Sequence, residues 1–173
     1  MKVGFIGAGR VGCSIGKYFV RHGIHVTGYY NRNPGPAQWA AEFTETRVFE
    51  TMEECVNGSE AVMIAVPDDA ICPVWNQLSG YPVKGKVFCH FSGALASDVF
   101  DGIDAAGAYG CSLHPMYAFA DRETAYRGLD GIGFTIEGSD EAVQLVRGVL
   151  EDCHNPVIRM QASQKVRYHA AAS

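Results

Sequence analysis

The stretch Val3-Gly4-Phe5-Ile6-Gly7-Ala8-Gly9-Arg10-Val11-Gly12 decides how this chain reads. Its first half is a short apolar run, as a strand buried on both faces requires. Behind it Val11, Ile15 and Phe19 recur at i, i+4 and i+8, with Tyr18 at i+7, drawing one apolar stripe along a helix. The glycines at 7, 9 and 12 therefore fall in a strand-to-helix turn. Gly7 permits the tight turn. Gly9 removes a side chain where a pyrophosphate would approach the backbone, and Gly12 lets the helix pack on the strand. The unpaired N–H groups and positive end of the helix favour phosphate there. Gly7, Ala8, Gly9, Arg10, Val11 and Gly12 are accordingly expected to bind a dinucleotide. The competing readings are a glycine-rich turn that binds nothing and one that takes a related nucleotide such as S-adenosylmethionine.

Outward from this turn, apolar runs at 3–6, 25–30, 61–66, 87–91, 109–113, 132–136 and 157–160 read as strands. Helix-like segments alternate with them; one carries Ala142, Val146, Val149 and Leu150 on a single face behind Ser139 as N-cap. The loop Asn33-Pro34-Gly35-Pro36 ends the second strand, and Pro36 is expected to begin a helix through Trp39. This alternation implies an α/β, Rossmann-like, doubly wound sheet, mostly parallel, with helices on both faces.

The second strand ends in Tyr29-Tyr30-Asn31-Arg32, and no acid occurs before Glu42. An NAD site usually has Asp or Glu about 20 residues after the glycine loop. A carboxylate would repel a 2′-phosphate, whereas a guanidinium pairs with it. Asn31 is expected on the ribose and Arg32, with Arg10 nearby, on the phosphate, so the expected cofactor is NADP(H). The plain alternative for Arg32 is a solvated loop charge. The net charge of -5 hides this asymmetry: residues 1–41 hold five basic residues and no acid. A weakly acidic total argues against a nucleic-acid partner.

No apolar window is long enough to span a membrane, and the N-terminus has no signal-peptide layout, so a cytoplasmic protein is expected. The six cysteines are scattered without a Cys-x-x-Cys pair and read as reduced thiols. Zinc at Cys89-His90 and Cys111-x-x-His114 is disfavoured, because positions 111 and 114 point to opposite faces of one strand; no metal is expected.

Ligands in such sheets bind beyond the carboxyl ends of the strands. Val66, Pro67 and Asp68 stand at one such end, where Asp68 or Asp69 either caps the next helix or lines the nicotinamide pocket, capping being expected of one. His90, Ser92 and Gly93 stand at the next, and His114 at the one after. His90 and His114 would face one crevice as a pair, each histidine reading equally as a substrate contact or as a structural hydrogen-bonder.

The runs GFIGAGRVG (4–12), NR (31–32), AVPDDAI (65–71), HFSGALASDVF (90–100) and SLHPMYAF (112–119) resemble an oxidoreductase family that joins a Rossmann-like domain to a helical one, the domain-of-unknown-function 2520 family. Its wider kin include pyrroline-5-carboxylate reductase, ketopantoate reductase, prephenate dehydrogenase, 3-hydroxyisobutyrate dehydrogenase and the deazaflavin-dependent NADP reductases. The resemblance covers essentially the whole chain and implies an NADP-dependent reductase or dehydrogenase acting on a small molecule. In these relatives the helical domain covers the nicotinamide, usually makes a homodimer, and often begins with Lys-x-x-x-Asn. Here the run is Lys165-Val166-Arg167-Tyr168-His169, with histidine in place of asparagine. Spacing i, i+4 puts Lys165 and His169 on one helix face, the lysine to stabilise an alkoxide and the histidine to relay a proton. The expected domains are 1–160, the NADP-binding unit, and 161–173, the start of a truncated helical domain. Lys165, His169 and His114 are the expected catalytic groups. A nucleotide-sensing module without chemistry and a deazaflavin partner beside NADP remain alternatives.

Overall fold

The computed structural model of the chain describes residues 1–172, and the side chains of all of these but Val166, His169, Ala171 and Ala172. It opens with β1 (Lys2–Ile6), α1 (Arg10–Arg21), β2 (His25–Tyr30), α2 (Pro34–Thr44), α3 (Met52–Gly58), β3 (Ala61–Ile64), α4 (Asp68–Leu78) and β4 (Val87–His90). A 3-10 turn at Ser97–Val99 leads to β5 (Tyr109–Pro115), and a second at Ala125–Gly128 to β6 (Phe134–Gly138). Then follow α5 (Asp140–Asp152), β7 (Val157–Arg159) and α6 (Ala162–Ala172).

The strands form one seven-stranded sheet in the order β2-β1-β3-β4-β5-β6-β7. The first five run parallel; β6 pairs antiparallel with β5, and β7 lies parallel to β6. All seven expected strands are present, and β3 and β4 are buried at every position. The sheet is covered on both faces. Phe5, Met63 and Leu113 pack against α1, α2 and α5; Ile6, Val62 and Phe88 pack against α3 and α4. Chain order reverses about β1, with β2 on one side and β3 on the other, so the crevice at their carboxyl ends is the switch point of the fold.

Local chemistry explains most helix starts. Ser139 accepts from Ala142 N and caps α5 as expected. Two starts differ from expectation. α2 begins at Pro34 rather than Pro36: Asn33 Oδ1 accepts from Gly35 N, and Pro34 suits the first helical position because it has no N–H to satisfy. Neither Asp68 nor Asp69 caps α4; the cap position is Pro67, and both carboxylates lie in the first turn beside the positive helix end. Among the described residues no helix is long and apolar enough to cross a membrane. None of their His, Cys, Asp and Glu side chains form a group able to hold a metal ion.

Candidate functional site

The glycine turn has the form its sequence implies, and the three glycines answer three different demands. Gly7 has φ +98°, and a Cβ there would stand 2.2 Å from the carbonyl oxygen of Ala65. A Cβ on Gly12 would stand 2.5 Å from the carbonyl oxygen of Gly7, so α1 touches the turn directly. Gly9 is different. Its φ of -81° suits any residue, and a Cβ on it would meet no atom of the chain within 4 Å. Nothing inside the protein requires glycine at position 9. The space beside it is open.

Two clefts flank this point. The first, about 570 Å³, is lined by Gly7, Asn31, Arg32, Val66, Pro67 and Asp69 among others. The second, about 320 Å³, is lined by Gly9, Arg10, Val11, Asp68, Phe91 and Ser92 with their neighbours. Both include Val66 and Pro67, so they meet beneath the turn. Asn31 fixes the first cleft: its Oδ1 accepts from Ala8 N at 3.2 Å and its Nδ2 donates to Asn33 O at 2.8 Å. Arg10 and Arg32 are exposed, without an ion pair to any described residue, and they line different clefts. The first turn of α1 holds no acid and Gly9 offers no side-chain cap, so its leading N–H groups face the open space.

One wall of the second cleft is formed by Phe91 and Ser92, at the start of the loop after β4. Ser92 Oγ donates to Asp68 Oδ2 at 2.8 Å and accepts from Ala94 N and Leu95 N. Beneath it, Lys165 of α6 is buried, 2% exposed. Its Nζ donates to Ser92 O (2.8 Å), Leu95 O (2.5 Å) and Ser112 Oγ (2.7 Å). Three bonds are all that an ammonium can give. Burial pulls the Lys165 pKa below its ordinary value, and the nearby Glu137 carboxylate opposes that pull most.

Of the expected site residues, Gly7, Gly9, Arg10, Val11, Asn31, Arg32, Val66, Pro67, Asp68 and Ser92 line the two clefts. Ala8 and Gly12 are buried within the turn, and Gly93 is buried in the loop. His90 departs from expectation. It is fully buried; its Nε2 donates to Ala96 O at 3.0 Å and its Nδ1 accepts from Ser92 N at 3.2 Å. Burial lowers its pKa to about 4, and it shapes the loop rather than touching the crevice. Nor does it pair with His114: β4 places His90 opposite Ser112, and its ring turns to Phe100 at 5.4 Å. His114 is half-buried two residues further along β5, edge-on to Tyr168 at 6.1 Å. The side chain of His169 lies outside the described residues. Sequence reasoning missed Glu137, Ser112 and Ser97. The only local signal was one acid inside the otherwise uncharged strand Phe134–Gly138.

A family model, the Rossmann-like domain, matches residues 1–115. No curated protein matches the chain. Among solved structures, a Bacteroides fragilis protein provisionally named an NADP oxidoreductase is 22% identical with a TM-score of 0.81, over 99% of this chain and 64% of that one. Protein TM1727 of Thermotoga maritima is 25% identical with a TM-score of 0.74, over 98% and 61%. The Aspergillus terreus reductive aminase, solved with NADPH and ethyl-5-oxohexanoate, is 20% identical with a TM-score of 0.77, over 98% and 59%. The chain thus spans 59–64% of the length of these three structures.

Proposed function

The chain belongs to the Rossmann-like domain family, and from that premise we propose that it binds NADP(H) as part of an oxidoreductase acting on a small carbonyl, imine or hydroxy compound. The observation that carries the reading is Gly9: a glycine that no φ and no neighbour demands, at the mouth of a 12-residue helix, between two clefts that meet. Open backbone at a helix N-terminus is what a pyrophosphate needs. The solved structures with NADPH and with imine-reducing activity support the cofactor and the substrate class. The finer resemblance to the domain-of-unknown-function 2520 family belongs to the same proposal.

The residues divide the work. The leading N–H groups of α1 hold phosphate, and Asn31 presents the ribose end of the first cleft while anchoring the turn through Ala8. Arg32, in the place where NAD sites carry an acid, selects the 2′-phosphate. Val66 and Pro67 form the floor common to both clefts, and Ser92, held by Asp68, stiffens the wall of the second. A nicotinamide cofactor supplies hydride transfer to or from the substrate carbon. Lys165 places a positive charge under that wall. It reaches a forming oxyanion by exchanging one of its three present bonds, and His114 and His169 are the groups assigned to the proton.

One observation favours a second reading, an NADP(H)-binding module without chemistry: every donor of Lys165 is already occupied. Titration of the chain with NADPH and NADH, followed by nicotinamide fluorescence, tests the common part. Saturable binding with NADPH preferred is expected; binding of neither nucleotide would sink both readings. Hydride transfer to an imine or ketone separates the two.

A further inference from the structure

Glu137 lines neither cleft, yet it is a carboxylate only 8% exposed, on β6, which runs antiparallel to β5. Register places it directly opposite Ser112. Its Oε2 accepts from Ser97 N at 2.7 Å and from Ser112 Oγ at 3.2 Å, and its Oε1 accepts from Ser97 Oγ at 2.7 Å. Three donors and no donation are the pattern of an ionised carboxylate. The direction of the Ser112 link follows. An ammonium only donates, so Ser112 Oγ accepts from Lys165 and sends its single proton to Glu137.

We propose that Glu137 is a positioning residue for Lys165: through Ser112 it supplies the buried counter-charge that keeps Lys165 an ammonium, and through Ser97 it fixes the far end of the loop that Lys165 holds at the near end. A lone buried ammonium sheds its proton rather than bear the loss of hydration. The groups facing Lys165 are Glu137 from β6, Asp68 from α4, Cys89 from β4 and Cys111 from β5, with His90 beside it. Asp68 is exposed, so water screens it, and a protonated thiol carries no charge. Glu137 is the buried carboxylate of this set. The loop between Ser92 and Ser97 is thereby clamped at both ends, and its first residue, Ser92, lines the second cleft.

This deepens the proposed function, since the charge on Lys165 serves hydride transfer only if the site performs it; the pairing itself is independent of any cofactor. The test is a pH titration of the Lys165 ammonium in chain labelled with ¹⁵N-lysine, its signal assigned by its loss in Lys165→Met. In Glu137→Gln, which keeps shape and removes charge, Lys165 is expected to lose its proton at least about one pH unit earlier than in the wild type, a tenfold smaller ratio of charged to neutral lysine at a given pH. Conservative Glu137→Asp is expected to recover part of the shift. An unchanged midpoint in a folded Glu137→Gln overturns the proposal. Should the glutamine variant not fold, Ser112→Ala keeps the carboxylate and removes the bridge; a downward shift there supports the relay and an unchanged midpoint overturns it. A nucleotide titration alongside separates the two ideas. Loss of the NADPH claim leaves the lysine shift standing, and an unmoved lysine leaves NADPH binding standing.

Discussion

The two clefts that meet at Val66 and Pro67 are built in opposite ways. The first draws its turn, its ribose-side amide and its guanidinium from the first 33 residues, and the turn is tied to the end of β2 by Gly7 N to Tyr30 O and by Ala8 N to Asn31 Oδ1. Its backbone is left open. The second is walled by a loop whose polar groups are nearly all engaged, by Asp68, His90, Glu137 and a lysine 73 positions away. On the proposed function the first region is open to a ligand, whereas the second holds its own shape with a charge beneath it. Recognition can be local. A buried charge must be assembled from distant strands, because no single element can both desolvate it and pair it.

The contrast is sharpest at Lys165. Lys165→Met keeps the apolar stem but leaves Glu137 without its counter-charge and two carbonyls without a donor. A loss of about 3–5 kcal/mol in unfolding free energy is expected by chemical denaturation. Below the unfolding transition, adenosine 2′,5′-bisphosphate, which carries the ribose and 2′-phosphate groups proposed for the first cleft, should bind within about threefold of wild type, a difference under ~1 kcal/mol. Equal damage to both would erase the distinction between the clefts.

A smaller effect is expected from His90 in acid. The unfolded histidine titrates near 6.5, whereas burial in the fold holds it down to about 4. Between those values the unfolded chain binds a proton that the native chain does not, so this contribution is complete above pH 6.5 and is lost as pH falls towards 4. The loss amounts to about 3 kcal/mol over the whole window. Unfolding free energies at pH 7, 5.5 and 4.5 should show this slope, and His90→Gln should flatten it. A wild-type slope preserved in the variant would assign the effect to other groups.

The smallest effect belongs to the open cleft. Arg32 is exposed and makes no ion pair with a described residue, so Arg32→Asp should leave stability within about 0.5 kcal/mol. Its NADPH-to-NADH preference should fall by about tenfold or more, close to one charge-assisted pair. An unmoved preference in the fluorescence titration would transfer phosphate selection to another cation.

The same division decided what could be read from the sequence. All seven strands, the glycine turn and the Ser139 cap were legible because each is a local pattern: apolar runs, fixed glycine spacing, one hydroxyl before a helix. α3 escaped because Met52–Gly58 is too short to show a helical period, although Thr51 Oγ1 caps its start by accepting from Glu54 N and Glu54 Oε2 reaches back to accept from Glu50 N. Residues 68 and 69 resembled caps and are not, because Pro67 had already set the helix start. His90 resembled a crevice residue, but strand register turned its ring into the core. The Glu137–Ser112–Lys165 link joins residues 25 and 53 positions apart across antiparallel strands and a helix, a relation no window of sequence contains.

The central claim is that the space beside Gly9 is kept for a phosphate. Gly9→Thr tests it most directly: threonine caps helices well and suits the extended backbone at this position, and a Cβ there meets nothing in the chain. The expected result is an unfolding free energy within about 0.5 kcal/mol of wild type with NADPH affinity reduced about 30-fold or more, roughly 2 kcal/mol. A Gly9→Thr chain that binds NADPH as the wild type does would contradict the account.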